Sequence, residues 1–307
     1  MEKTIFYGNG LNMLGDSEIS KISWRKLLEE LADYVKYPQL NLDNKPYTMI
    51  YEELVLKGSL ETIEEKRKEE EIKKRIIDKH SKSRPNQYYD KLRDLHLKNY
   101  ITTNYDLNLE MSFGNIDYSC NHKKLETIYS IRTYVDITKD NKLNSKIWHI
   151  HGDIERVKSI SLGLDHYCGT IGKMDNYFKG NYNYKSNQEE IRIKALSDKI
   201  NGTAKFDDIS WIDLFFTTDV HIIGLSLDYS ETDLWWLLNR RARHKGGYHN
   251  KITYYDTVDI NERFKDTISA NRHIISDSKQ GPGSAVDHGP FIYTFTKDYI
   301  LGSQPFS

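Results

Sequence analysis

Short apolar runs that end at glycine, asparagine or histidine alternate along this chain with stretches of helical spacing. Lys3–Tyr7 (K-T-I-F-Y) reads as a strand feeding Gly8-Asn9-Gly10-Leu11-Asn12. Ser23 is placed to cap a helix whose apolar positions, Trp24, Leu27, Leu28, Leu31 and Val35, recur every three or four residues. Pro38 and Pro46 interrupt the mixed stretch 37–58. Leu60–His80 is a strongly charged helix with i,i+4 pairs Glu70–Lys74 and Glu71–Arg75, best read as a solvated face. Asn86–Leu97 is another helix, so 37–97 forms a helical insertion. Strands are expected at Asn99–Thr103, at short runs including Leu125–Ile131, and at Lys146–His151. Residues 160–185 read as irregular, and Gln188–Ile200 and Asp207–Phe216 as helices. Asp219–Gly224 is a strand, followed by a helix from Ser230, a strand at Lys251–Tyr255 and a helix at Ile260–Ala270. Asp277–Pro290 reads as loop and Phe291–Phe295 as a last strand. This alternation predicts one α/β domain over 1–307, a Rossmann-like, doubly wound parallel sheet with a helical insertion.

Composition narrows the function classes. With 44 basic and 45 acidic residues the net charge is -1, and no basic cluster offers a nucleic-acid surface. Cys120 and Cys168 are the two cysteines, too few for a four-cysteine zinc ribbon or a disulfide framework. No apolar run approaches a membrane span of about 18 residues. A cytoplasmic protein without membrane contact is expected. The 22 tyrosines suit half-exposed positions and subunit interfaces, in keeping with a homo-oligomer.

Polar groups gather at the strand ends, where ligands sit in open α/β sheets. Gly8 and Gly10 let the backbone approach a pyrophosphate, although the third glycine of the dinucleotide fingerprint is absent and an Asn-Gly turn is the plain alternative. Asn104 and Asp106 follow the strand at Tyr100–Thr103, as ligand contacts or as helix caps. In W-H-I-H-G-D (148–153), His149 and His151 share a face, a spacing that permits metal chelation, but no further ligands accompany them and no metal is expected. His151, before Gly152, suits general acid/base work, with a backbone-satisfied buried histidine as the alternative. Gly224-Leu225-Ser226-Leu227 can meet ribose or phosphate at a helix N-terminus.

The order strand–G-N-G, T-T-N-Y-D, H-I-H-G-D, I-I-G-L-S-L resembles the sirtuin-like family, more narrowly its bacterial anti-phage branch without the zinc module. The later S-E-T-D-L-W-W-L-L resembles the S-x-x-D helix start of that branch. A neighbouring resemblance is to the AbiH abortive-infection family. Departures are Asn9 where sirtuins carry the alanine of G-A-G, and Ser23-Trp24-Arg25 where their proline–aspartate–phenylalanine–arginine stretch would lie. The resemblance implies NAD as substrate and hydrolysis of its nicotinamide–ribose bond. It assigns Asn104 to the ribose and the water, His151 as base, and Asp106 to the nicotinamide end or the developing cation. Gly8, Asn9, Gly10 and Asn12 belong to the pyrophosphate loop, Thr103 and Gly152 to the same pocket, Gly224 and Ser226 to the adenosine side. Tyr255 and Asp256 are further candidates for the adenine ribose. It further implies an abortive-infection effector triggered by assembly or by a partner, an ATPase or Argonaute-type protein. The alternative is a non-catalytic NAD or ADP-ribose sensor within a defence complex.

Overall fold

A computed structural model describes residues 1–60, 65–123, 125–186, 189–244 and 250–256, and the backbone of 286–287 and 292–296. In chain order the elements are β1 (Lys3–Tyr7), α1 (Gly10–Met13), α2 (Trp24–Tyr34), α3 (Tyr47–Lys57), α4 (Glu65–His80), α5 (Gln87–Arg93), β2 (Asn99–Thr102) and α6 (Asn108–Gly114). Then follow β3 (Ser119–Lys123), β4 (Tyr134–Lys139), β5 (Lys142–His149), a single 3₁₀ turn, α7 (Leu164–Lys179), β6 (Asn183–Ser186), β7 (Glu189–Arg192), α8 (Leu196–Ile200) and α9 (Trp211–Thr217). The chain continues with β8 (Asp219–Ile223), α10 (Thr232–Arg243), β9 (Ile252–Asp256), β10 (Val286–Asp287) and β11 (Ile292–Thr296).

One sheet has the order β10-β11-β9-β8-β1-β2-β5-β4-β3, and β6 with β7 forms a separate hairpin. Neighbours from β11 through β5 are parallel; β10, β4 and β3 pair antiparallel at the two edges. From β1 the chain steps one way to β2 and β5, then returns to place β8 and β9 on the other side. Such a reversal of strand order opens a crevice at the carboxyl ends.

The period of two along each strand explains the layers. Ile5, Tyr7, Tyr100, Ile147 and Ile223 face a core with Tyr89 and Leu92 of α5 and Leu109 and Phe113 of α6. Their neighbours Phe6, Ile101, Trp148, Val220 and Ile222 face Met174 and Tyr177 of α7, Trp211 and Phe215 of α9 and Leu234 and Leu237 of α10. Both faces of the central strands are covered, as a parallel sheet requires. A third core joins α2, α3 and α4 to Tyr105, Ile160 and Leu162 beyond the strand ends. The insertion therefore packs over the crevice. Ser23 caps α2 by accepting from the Lys26 amide, and Asn86 caps α5 by accepting from the Tyr88 amide.

Several local expectations change. Leu125–Ile131 is a loop between β3 and β4, because the Glu126 carboxylate accepts from the backbone amides of Ile131 and Arg132 and takes the place of a strand ladder. Residues 164–179, expected to be irregular, form α7. Its buried positions Tyr167, Thr170, Met174 and Tyr177 carry the helical period, disguised because half of them are tyrosine. The stretch expected as a helix at Gln188–Ile200 is instead β7 followed by the short α8. β5 ends at His149, so His151 stands two residues past the strand rather than on it. The helix expected at Ile260–Ala270 lies outside the described residues, as does most of the loop at 277–290.

Candidate active site

The carboxyl ends of four parallel strands converge. The glycine loops after β1 and β8 touch each other: the Gly10 amide donates to Gly224 O at 2.7 Å, and the Gly8 amide to Ile223 O at 3.1 Å. A Cβ on Gly10 would stand 2.6 Å from the Gly224 Cα, and Gly224 has φ +59. Both loops therefore need glycine for their own packing, whatever ligand they meet. Gly152, at φ +92, admits no side chain either, since a Cβ there would lie 2.2 Å from Ser159 O. Gly152→Ala is expected to lose about 1–3 kcal/mol from the left-handed backbone alone, read by urea denaturation; an unchanged midpoint would refute it.

Between these loops and the insertion lies a cavity of about 40 Å³. Its lining combines the polar Thr103, Asn104, Asp106, His151 and Glu231 with Asn9, Ile22, Trp24, Leu27, Tyr105 and His80. Asn104 comes from the turn after β2. Its amide N–H donates to Thr102 Oγ1 at 3.0 Å and its Nδ2 to the Tyr89 hydroxyl at 3.3 Å, so the side chain is held before any ligand arrives.

His151 is buried, with two carboxylates beside it. Its Nε2 lies 3.0 Å from Asp233 Oδ2, and its Nδ1 3.8 Å from Glu231 Oε2. The Tyr167 hydroxyl stands 3.4 Å from Nδ1 and donates to Glu231 at 3.2 Å. Burial alone would lower the pKa of His151; the charge of Asp233 and its hydrogen bond, then Glu231, overcome this and raise it. Burial raises the Glu231 carboxyl to about 7, against the opposing pull of His151. Asp233 fixes one ring nitrogen as the donor, since a carboxylate can only accept, and leaves the other free to take a proton.

A second polar network stands behind the first. His149 Nε2 lies 2.7 Å from Glu110 Oε1, and its Nδ1 3.0 Å from Asn104 O. Burial opposes the charge on His149, but Glu110 prevails and lifts its pKa to about 9. The two histidines thus do not form one chelating face. Because the folded pKa exceeds the ordinary 6.5, this pair's stabilisation is complete below pH about 6.5 and disappears as pH rises through about 9. His149→Ala leaves the Glu110 charge buried and is expected to cost about 3–5 kcal/mol at neutral pH. Chemical denaturation tests it, and a loss below about 1 kcal/mol would contradict it.

The remaining candidates are distributed unevenly. Asp106 both lines the cavity and holds structure: Oδ2 accepts from Asn12 Nδ2 at 2.8 Å, and Oδ1 from the Asn108 amide at 3.1 Å. Asn12 is buried, donating to Asp106 and Asn9 and accepting from Tyr89 and Asn108, so its side chain is engaged within the protein. Asn9 ties its loop to Ile22 O. Thr103 is half-buried at the cavity, and Ser226 is exposed nearby in sequence to Gly224. Tyr255 does not line this cavity, and its hydroxyl lies 2.8 Å from His221 Nδ1. Asp256 ends β9. Sequence reasoning missed Glu231, Asp233, Tyr167, Trp24 and His80 as site residues. The S-E-T-D turn after an apolar strand was the available signal for the two acids. Tyr167 was hidden in the stretch read as irregular, and His80 at the end of a charged helix.

The donor atoms of His151, Glu231 and Asp233 lie within 4.8 Å of one another, a set able to hold a cation. The hydrogen bond between His151 and Asp233 would have to open first. Among the described residues no helix is long and apolar enough to cross a membrane.

The family model of the SIR2-like domain matches residues 98–193, from β2 through β7 and including Asn104, Asp106 and His151. This match over about a third of the chain, together with the mostly parallel sheet, supports a relation to the sirtuin-like family, whose members are NAD-dependent enzymes and whose domains bind NAD. No curated protein matches the sequence.

Proposed function

We propose that this protein is an NAD glycohydrolase that cleaves the nicotinamide–ribose bond to give nicotinamide and ADP-ribose. The observation that carries the reading is that Asn104 and His151, from separate strand ends within the SIR2-like segment, face one cavity. The bond breaks through an oxocarbenium-like state, as in glycoside hydrolysis. Nicotinamide leaves as a neutral group, so the protein has to hold the ribose, stabilise positive charge and position water. Asn104 holds the ribose and the water. His151, oriented by Asp233, accepts a proton from that water or from a ribose hydroxyl. Asp106 and Glu231 supply negative potential to the cation. The loops at Gly8–Gly10 and Gly224–Ser226, with Thr103 and Gly152, border the path of the rest of the dinucleotide. Tyr255 and Asp256 are candidates for its far end.

A cavity of about 40 Å³ is an order of magnitude below the roughly 300–1,000 Å³ of ligand sites. The insertion over the crevice must therefore yield before NAD enters, which supports a latent state released by a trigger. We take the protein to be a cytoplasmic effector of anti-phage defence by abortive infection. The trigger is self-assembly into a homo-oligomer or a partner such as an ATPase or an Argonaute-type protein.

The test is NAD loss and nicotinamide release by purified protein, alone and with the product of its genomic neighbour. Turnover is expected on activation. Tight NAD binding without turnover, unaffected by His151→Ala, would instead identify a sensing module.

A further inference from the structure

His80 is the last residue of α4, in the insertion, outside the segment that matches the SIR2-like family. It is 8% exposed, and neither ring nitrogen has a hydrogen-bond partner among the described residues. Its ring packs edge-on against Tyr105, with centroids 5.4 Å apart, and it lines the same cavity as Asn104 and His151. Buried polar groups are nearly always partnered, and one left unpartnered costs stability. A phenylalanine would pack on Tyr105 without that cost, so the imidazole is kept for something that enters the cavity.

We infer that His80 is a specificity-determining residue of the pocket, a hydrogen-bonding contact for a neutral polar group of the bound ligand, either a ribose hydroxyl or a carboxamide. This rests on the reading of the cavity as the site for the nicotinamide-ribose half of NAD. Burial, and then the neighbouring Lys79, hold the imidazole pKa at about 4, so at neutral pH the ring offers one N–H and one lone pair. That pair suits a hydroxyl or an amide. A phosphate would demand the charged ring that burial disfavours. The location also gives the insertion a chemical role, because α4 completes the ligand shell when it closes over the strand ends.

The experiment compares wild type, His80→Phe and His80→Gln by ligand-free melting temperature and, on protein activated as for the turnover assay, by calorimetric affinity for carba-NAD, which is not hydrolysed. Phe is expected to melt at or above the wild-type temperature and to bind carba-NAD about tenfold more weakly, the loss of one hydrogen bond in a desolvated site. Gln, which keeps a donor and an acceptor, is expected to recover part of the affinity. Equal affinity of Phe and wild type would overturn the inference while leaving the NAD reading intact, and would show that His80 meets water only. If wild type binds no carba-NAD, the NAD reading fails. A lowered melting temperature for Phe would then overturn the inference too, whereas a raised one would keep His80 as a contact for another neutral ligand. Affinity of wild type that strengthens from pH 8 to 5, with no such dependence in His80→Gln, would overturn the neutral-group assignment in favour of an anion.

Discussion

Alanine at Asn104 or at His151 is expected to slow nicotinamide release from NAD by about 10²–10⁴-fold, the usual effect of removing a positioned acid–base or orienting group. The two changes should differ in their structural cost. Asn104 gives up one donated bond to Tyr89, and the Tyr89 hydroxyl still donates to Asn12 at 2.7 Å. Stability should fall little. His151→Ala removes the imidazole that stands between Glu231 and Asp233 and leaves two carboxyl groups facing each other in a buried site. Destabilisation should accompany the loss of activity, so His151→Gln is the better probe. Single-turnover assays on the activated protein separate chemistry from binding. If both Asn104→Ala and His151→Gln keep full turnover, the assignment of the site is wrong.

The acidic pair predicts a second large effect, visible as a change in pH dependence. A raised His151 pKa means that the neutral, proton-accepting ring is depleted as pH falls through that value. Asp233→Asn removes the largest influence raising it. The acid limb of kcat should move to lower pH, while the plateau falls because an amide fixes the ring less firmly than a carboxylate. Glu231→Gln should lower kcat by about 10²–10³-fold with little change in KM, if its charge supports the cation that forms at the ribose. Stability responds in the matching sense. A carboxyl lifted from 4.5 to about 7 by burial favours the folded state fully below pH 4.5 and progressively less as pH rises to about 7. The glutamine variant should lose that slope in a series of melting temperatures. Wild-type kinetics in both variants across pH 5–9 would remove Glu231 and Asp233 from the mechanism and leave them as packing.

The histidine pair shows how far local pattern could lead. W-H-I-H places two histidines two residues apart, and on a continuous strand they would share a face. The strand ends at His149, so each ring goes to a different carboxylate, Glu110 on α6 and Asp233 on α10. Those partners lie 39 and 82 residues away in the sequence, and no local rule could have chosen them. The glycine motifs were legible as glycines but not for their full reason. Gly8, Gly10 and Gly224 are required by the approach of two loops far apart in the sequence. Tyr167 escaped notice because tyrosine-rich periodicity reads as irregular when only aliphatic residues are counted as core.

What the sequence determined by itself were the features set by neighbours along the chain. The short continuous apolar runs of β1, β2 and β8 specify a sheet buried on both faces, and the stretches between them specify helices. The breaks after those strands and after β5 place Asn104, His151 and the glycine loops at carboxyl ends. Ser23 and Asn86 start their helices where their side chains can accept from the backbone. Only the tertiary structure decided which polar groups meet. It seated Glu231 and Asp233 on His151, consumed Asn12 within a buried network, and brought α4 across the crevice so that His80 entered the pocket. The reason is range. Strand and helix periodicity is enforced by backbone geometry over a few residues, whereas charge pairing and burial depend on distances through space that the chain fixes only once both faces of the sheet are covered.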